Sequence, residues 1–233
     1  MKILGIDSSA VVASVALCED ERLLAEYTLN NGNTHSETLL PMVEAVLKDF
    51  KLTARDIDLF AVSNGPGSFT GVRIGVATAK GLAFASKKPC VGVSTLHALA
   101  FNLVGVKGLI CPVMNARRSQ VYTALFRSDG QSLTRITEDA AISISELDDM
   151  ISAYGEDIYF CGDGYDITVS ALKKTSFIPV AERQLHQSGF SVSQIAFAEY
   201  KAGNATSDTE LLVTYLRPSQ AERELLERKK EEK

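Results

Sequence analysis

The sequence predicts an α/β protein made of two βββαβα units in tandem. Three observations predict it. Val11–Cys18 alternates, with Ala13, Val15 and Leu17 on one face, the period of a half-buried strand. The order of strand and helix candidates that precedes Gly105 recurs after Gly108, as an internal duplication would. Within the first unit, Gly65–Ala85 joins a glycine-rich loop to a long helical segment that contains no proline after Pro66.

In the first unit, Lys2–Asp7, Val11–Cys18 and Arg22–Leu29 read as strands. Ser36–Phe50 reads as a helix, because Leu39, Val43, Val46, Leu47 and Phe50 form an apolar stripe. A strand at Leu59–Val62, the glycine helix, a strand at Pro89–Val93 and a helix over Ser94–Val104 complete the unit. The second unit offers strands at Leu109–Met114, Gln120–Phe126 and Leu133–Thr137. Then come a helix at Ser145–Tyr154, a strand at Ile158–Cys161, a helix at Asp166–Lys174, a strand at Phe177–Val180 and a closing helix at Val192–Lys201. Gly105–Gly108 is the seam. The expected organisation is an N-terminal lobe over 1–104, a C-terminal lobe over 105–217 and a charged tail over 218–233.

Composition narrows the class. The chain has 233 residues, 45% apolar and 23% charged, ordinary globular values. No apolar run reaches the ~18 residues that span a bilayer, and residues 1–30 carry no basic region followed by an apolar core. Cys18, Cys90, Cys111 and Cys161 are widely spaced, without a C-x-x-C pair, so they read as reduced, buried thiols of a cytoplasmic protein. A net charge of −5 argues against a surface that grips RNA alone.

The glycine block is the most specific feature. Ser68 or Thr70 can cap the helix start by accepting a backbone N–H. Within the helix Gly71, Gly75, Ala79 and Ala83 fall four residues apart, on one face that has almost no side chains. Two interior glycines cost about 1 kcal/mol each relative to alanine, which implies that another backbone comes very close. Gly65–Gly71 is followed by Val72, not Lys, so it is not a P-loop.

GPGSFTGVRIGVATAKGLA closely resembles the signature of the bacterial TsaB (YeaZ) family. Gly5–Ser9, His35–Glu37 with Leu39–Pro41, Gly92–Ser94, Asn115–Arg118 with Val121–Tyr122, and Tyr215–Arg217 extend the resemblance over most of the chain. The resemblance implies an actin-like ATPase (ribonuclease H-like) fold of two lobes. It implies a non-catalytic subunit of the machinery that makes threonylcarbamoyladenosine beside the anticodon of tRNAs reading codons that begin with A. The implied partners are the catalytic paralogue TsaD and the P-loop ATPase TsaE. A homodimer is expected when the chain is alone, and tRNA is reached only indirectly. The expected role is to hold TsaD in its active form through the small-residue helix and the Ser36–Phe50 helix. His35, Leu39, Val43, Gly71, Gly75, Ala79 and Ala83 are the expected contact residues.

In the actin-like superfamily the turn equivalent to Gly5–Ser9 approaches phosphates, and its aspartate reaches the metal. ATP or ADP with Mg²⁺ at Asp7, Ser8 and Ser9, in a cleft or at a subunit interface, is therefore one reading, because hydroxyls and N–H groups suit an anion and a carboxylate suits Mg²⁺. The other reading is a strand end whose Asp and Ser make turn hydrogen bonds. The second-unit position holds Asn115, Arg117 and Arg118, where an active ATPase or sugar kinase would carry an acidic, glycine-rich turn. Those arginines can contact a phosphate or a partner carboxylate, or lie in a solvated turn. The catalytic paralogue carries an H-x-x-x-H pair where this chain has Thr95 and Leu99, with His97 between them, so no catalytic and no metal residue is assigned. No nucleophile elbow is present to support a peptidase. The alternative from the enzyme class is a small actin-like kinase or ATPase active on its own, which Asn115 disfavours.

Overall fold

The computed structural model describes residues 1–217; the charged segment 218–233 lies outside the described residues. The first sheet contains β1 (Lys2–Asp7), β2 (Ala13–Glu19), β3 (Arg22–Leu29), β4 (Leu59–Gly65) and β5 (Cys90–Ser94), ordered β3-β2-β1-β4-β5. β1 runs antiparallel to β2 and parallel to β4. Helices α1 (His35–Asp49) and α2 (Phe69–Ser86) cover one face. The core on that side is Leu4, Ile6, Val15 and Leu17 against Leu39, Val43, Val46, Val72, Val76 and Ala79.

α3 (Thr95–Phe101) leads into the second sheet, with β6 (Lys107–Asn115), β7 (Gln120–Thr123), β8 (Phe126–Asp129), β9 (Leu133–Arg135) and β10 (Ala140–Ser143). α4 (Ile144–Ser152), β11 (Ile158–Cys161), α5 (Tyr165–Val169), β12 (Phe177–Ile178) and α6 (Gly189–Lys201) follow. The expected strand at Gln120–Phe126 is in fact two. β7 pairs with the end of β6 at Val113–Asn115, and β8 pairs with its start at Lys107–Ile110. β10 pairs with β7 and β9 with β8, so one long hairpin is broken at the same level in both strands. With that break allowed, the order β10-β7-β6-β11-β12 repeats the first sheet. The architecture is the duplicated βββαβα actin-like fold.

The lobe boundary needs correction. α6 is the last helix of the second unit in sequence, yet it packs on β1, β2, β4 and β5 of the first sheet. Val192, Ile195 and Ala196 cover Ile3, Ala16, Leu59, Ala61, Val91 and Val93. The contact is so close that a Cβ on Gly5 would lie 2.2 Å from the Gly189 carbonyl oxygen. Gly5 therefore serves helix–sheet packing. The chain then stays on the first lobe. Thr206 and Cys90 exchange backbone bonds of 2.8 Å, Leu211 joins the first core, and the Thr214 N–H donates to the Asn64 carbonyl at 2.7 Å. Residues 189–217 belong with the first lobe, a long-range pairing that element order along the chain does not reveal.

Candidate functional site

β1 ends at Asp7 next to Ser63 of β4, because the two strands run in parallel register with Ile6 opposite Val62. The Ser63 hydroxyl donates to Asp7 Oδ2 at 2.5 Å, while the Ser9 N–H and hydroxyl donate to Oδ1 at 2.9 and 2.6 Å. Asp7 is fully buried. Burial pushes its carboxyl above the ordinary value of 3.8, against the lowering effect of the Ser63 and Ser9 bonds. Ser8, also buried, donates its hydroxyl to the Gly71 carbonyl at 2.9 Å. Both side chains turn inward and tie the β1–β2 turn to β4 and α2, as in the reading of a strand end whose Asp and Ser make turn hydrogen bonds. Ser9, with Ala10 and Val11, borders the cleft.

The small-residue face of α2 also turns inward. Ser68 caps the helix, accepting the Gly71 N–H at 3.3 Å. A Cβ on Gly71 would lie 2.2 Å from the Ser8 carbonyl oxygen, and one on Gly75 would lie 2.5 Å from Ser8 Oγ. Ala79, Ala83, Leu39 and Val43 are buried in the first core. His35 is half-buried, its Nε2 2.6 Å from the Ala10 carbonyl oxygen. The close backbone approach implied by the glycines is real, but the backbone is the chain's own. Gly71, Gly75, Ala79, Ala83, Leu39 and Val43 are not a partner surface.

A cleft of about 1100 Å³ opens between the lobes. It is bordered by the 32–36 loop, the Pro66–Gly71 turn, the end of β6, Tyr122, Asp163 and the 214–217 segment. At its second-lobe wall Arg117, Arg118 and Ser119 have φ of 62°, 54° and 56°. Three successive left-handed residues cost roughly 1–2 kcal/mol each. The turn is held by Arg117 N–H to Asn115 Oδ1 at 2.8 Å, Ala116 N–H to the Gln120 carbonyl at 3.0 Å and Ile144 N–H to the Ser119 carbonyl at 3.2 Å. Arg217, arriving with the first lobe, donates to the Ala116 carbonyl at 3.1 Å and so bridges the cleft. At the mouth, Arg73 stacks 3.7 Å over the Phe69 ring and its Nε donates to the Tyr215 hydroxyl at 2.5 Å. The sequence marks Arg117 as a candidate contact and assigns Arg217 and Tyr215 no role. They stood out in the chain only as part of the Tyr215–Arg217 motif.

The cleft lining carries two guanidinium groups, Arg117 and Arg217, and one carboxyl, Asp163, whose Oδ1 accepts the Asn115 N–H at 3.2 Å. Mg²⁺ is held through carboxylates and ligand phosphates, and the Asp7 carboxyl is fully buried and accepts three hydrogen bonds from Ser9 and Ser63. Among the described residues no group of three His, Cys, Asp or Glu side chains can hold a metal. Thr95 and Leu99 are buried, and His97 stacks on Phe126 at 5.3 Å between ring centres. Burial and the nearby Arg135 guanidinium push His97 down to about 4. No helix among the described residues is long and apolar enough to cross a membrane.

The family model described as TsaD, tRNA N6-adenosine threonylcarbamoyltransferase, matches residues 22–220. The chain is 32% identical to the tRNA threonylcarbamoyladenosine biosynthesis protein TsaB of Bacillus subtilis (strain 168), over 99% of this chain and 100% of that one. It is 36% identical to TsaB of Escherichia coli (strain K12), over 63% and 64% of the two chains. A crystal structure of an uncharacterized protein with similarity to peptidase YEAZ from Pseudomonas aeruginosa superposes with a TM-score of 0.81 at 26% identity, covering 93% of this chain and 99% of that one. Similarity over its whole length, on a shared two-lobe fold, shows that this chain belongs to the TsaB (YeaZ) family.

Proposed function

We propose that the chain serves tRNA threonylcarbamoyladenosine biosynthesis as a non-catalytic subunit that holds TsaD in its active form, with TsaE joining the assembly. The full-length similarity to TsaB carries this reading. Thr95 and Leu99, where the paralogue would need metal ligands, support the absence of catalysis; both are packed inside.

The partner surface is the outward side of the α1–α2 pair, opposite the glycines named above. Leu40 on α1 is 49% exposed and Phe84 on α2 is 73% exposed. Thr70, Arg73, Ala77, Gly81 and Phe84 form an exposed stripe at helical spacing along α2. Two large exposed apolar side chains, Leu40 and Phe84, on a packed helix pair suit another protein. With TsaD absent, the same surface pairs two copies of this chain. Phe84→Glu and Leu40→Glu are expected to leave the melting temperature near wild type, since neither side chain is in the core. Both should abolish co-purification with TsaD and modification of tRNA in the reconstituted system. Retained complex and product in the double variant would refute this surface. Wild-type chain alone, given threonylcarbamoyl-adenylate and tRNA, is expected to give no modified base.

The cleft is the proposed seat of an anionic ligand such as ADP, held by Arg117 and Arg217 and not by Asp7. Calorimetry with ADP, on the chain alone and in the TsaD complex, should show weaker binding for Arg117→Ala and Arg217→Ala and unchanged binding for Asp7→Asn. Loss of binding with Asp7→Asn alone would restore the phosphate role to that residue. ATP turnover by the chain alone would favour the kinase alternative.

A further inference from the structure

We propose that Asn31–Gly32 is a site of spontaneous deamidation and isoaspartate formation, a covalent change at the rim of the inter-lobe cleft. The Asn–Gly pair occurs twice in the chain, at Asn31–Gly32 and at Asn64–Gly65, and the fold treats the two in opposite ways.

Asn31 and Gly32 lie in the exposed loop between β3 and α1. Gly32 has φ of +74°, and nothing lies within 4 Å of where its Cβ would be. Position 32 is exposed, with room for its glycine backbone to turn. The Asn33 N–H donates to Asn31 Oδ1 at 3.1 Å, which folds the Asn31 side chain back along its own backbone and polarises Cγ. The nucleophile, the Gly32 nitrogen, and the electrophile, Asn31 Cγ, belong to adjacent residues of this exposed turn.

Asn64–Gly65 has neither freedom. Asn64 Nδ2 donates to the Leu212 carbonyl at 3.1 Å, and the Asn64 carbonyl accepts the Thr214 N–H at 2.7 Å. Its amide also packs on Gly92, where a Cβ would lie 2.6 Å from Nδ2, and Gly65 is buried at the end of β4. The side chain cannot swing onto the Gly65 nitrogen without breaking the attachment of the 211–214 segment.

In the reaction, hydroxide removes the Gly32 amide proton and the nitrogen bonds to Asn31 Cγ. The Cγ–Nδ2 bond breaks, and Nδ2 leaves with an added proton as ammonia. Water then opens the cyclic imide at either carbonyl, leaving an aspartyl or an isoaspartyl residue at position 31. The product gains one negative charge in a loop whose next residues, Gly32, Asn33 and Thr34, border the same cleft as Arg117 and Arg217. The isoaspartyl form also inserts one methylene into the backbone just before His35, the first residue of α1.

The test is incubation of the full chain in heavy-oxygen water at mildly alkaline pH, followed by peptide mapping. Position 31 is expected to acquire heavy oxygen and an isoaspartyl fraction while position 64 does not. In denaturant both positions should react, which shows that the fold protects Asn64. Asn31→Gln should abolish the signal at 31 and leave the folded chain otherwise unlabelled at its Asn–Gly pairs. Equal labelling of both positions in the folded chain, or labelling of 31 only in denaturant, overturns the proposal.

Discussion

Gly75→Leu is expected to lower the melting temperature sharply or prevent folding, while Gly81→Leu on the same helix is expected to melt like the wild type. The two glycines are six residues apart on α2, about 120° around its axis; Gly75 is buried and Gly81 is exposed. A Cβ at position 75 would sit 2.5 Å from Ser8 Oγ and 3.4 Å from Val62 Cγ2; at position 81 nothing lies within 4 Å. Ser8 cannot yield cheaply, because its hydroxyl is bonded to the Gly71 carbonyl and its backbone crosses α2 at that residue. Overpacking costs ~1–3 kcal/mol in an ordinary core, and the lack of give here puts Gly75→Leu at the top of that range or above. At about 2–4 °C per kcal/mol for a chain of this size, the drop should reach roughly 6–12 °C. Gly81→Leu should instead weaken TsaD binding, since position 81 lies in the exposed stripe. Calorimetric melts of both variants decide the matter, and a wild-type melt for Gly75→Leu would falsify the inward assignment.

Asp7 provides the second large effect. Asp7→Ala leaves the Ser9 N–H, the Ser9 hydroxyl and the Ser63 hydroxyl without their acceptor in a buried turn. Each unsatisfied buried donor costs about 1–3 kcal/mol, so a loss of roughly 3 kcal/mol or more is expected. Asp7→Asn keeps an acceptor oxygen and removes the burial cost of a charge, and it should stay near wild type at neutral pH. The pH dependence separates this role from charge binding. A carboxyl raised above 3.8 by burial contributes stability that is complete below 3.8 and lost as pH rises through the folded value. Wild type should therefore lose ground to Asp7→Asn as pH increases from about 4 toward neutrality. The opposite slope in paired melts would mean that the folded state favours the charged form, as a metal or a cation at Asp7 would require.

Much of the architecture is legible along the chain because it is written in local periodicity. The alternation of Val11–Cys18, the stripe of α1 and the cap and small residues of α2 all report a neighbour on one side. They do not report whose neighbour it is. The Gly71–Ala83 stripe looks the same whether a partner helix or the Ser8 backbone fills it. What decides is β1 lying beside β4 and the turn after Asp7 crossing α2, contacts that join residues about sixty positions apart. The destination of α6 is hidden for the same reason, since Val192, Ile195 and Ala196 would suit either sheet. The break of the second hairpin into β7–β10 leaves no turn signal at Ala124–Leu125, because both residues are buried and apolar. Of the cleft, Arg117 was readable from its place after β6. Arg217 was not, because only the return of the 204–217 segment across the first lobe brings it there.

That return has a consequence for the order in which the protein can be made. One face of the first sheet, with Ile3, Leu59, Ala61 and Val91, is closed by a helix that starts at Gly189. Ribosomes add about 5–20 residues per second, so roughly 10–40 s of synthesis separate β1 from the helix that covers it. During that interval the nascent first sheet presents a bare apolar face, and only the arrival of α6 seals it. The N-terminal half is thus complete only when residues up to Lys201 have left the ribosome, and a message cut short before Gly189 yields a sticky fragment in place of a free-standing lobe.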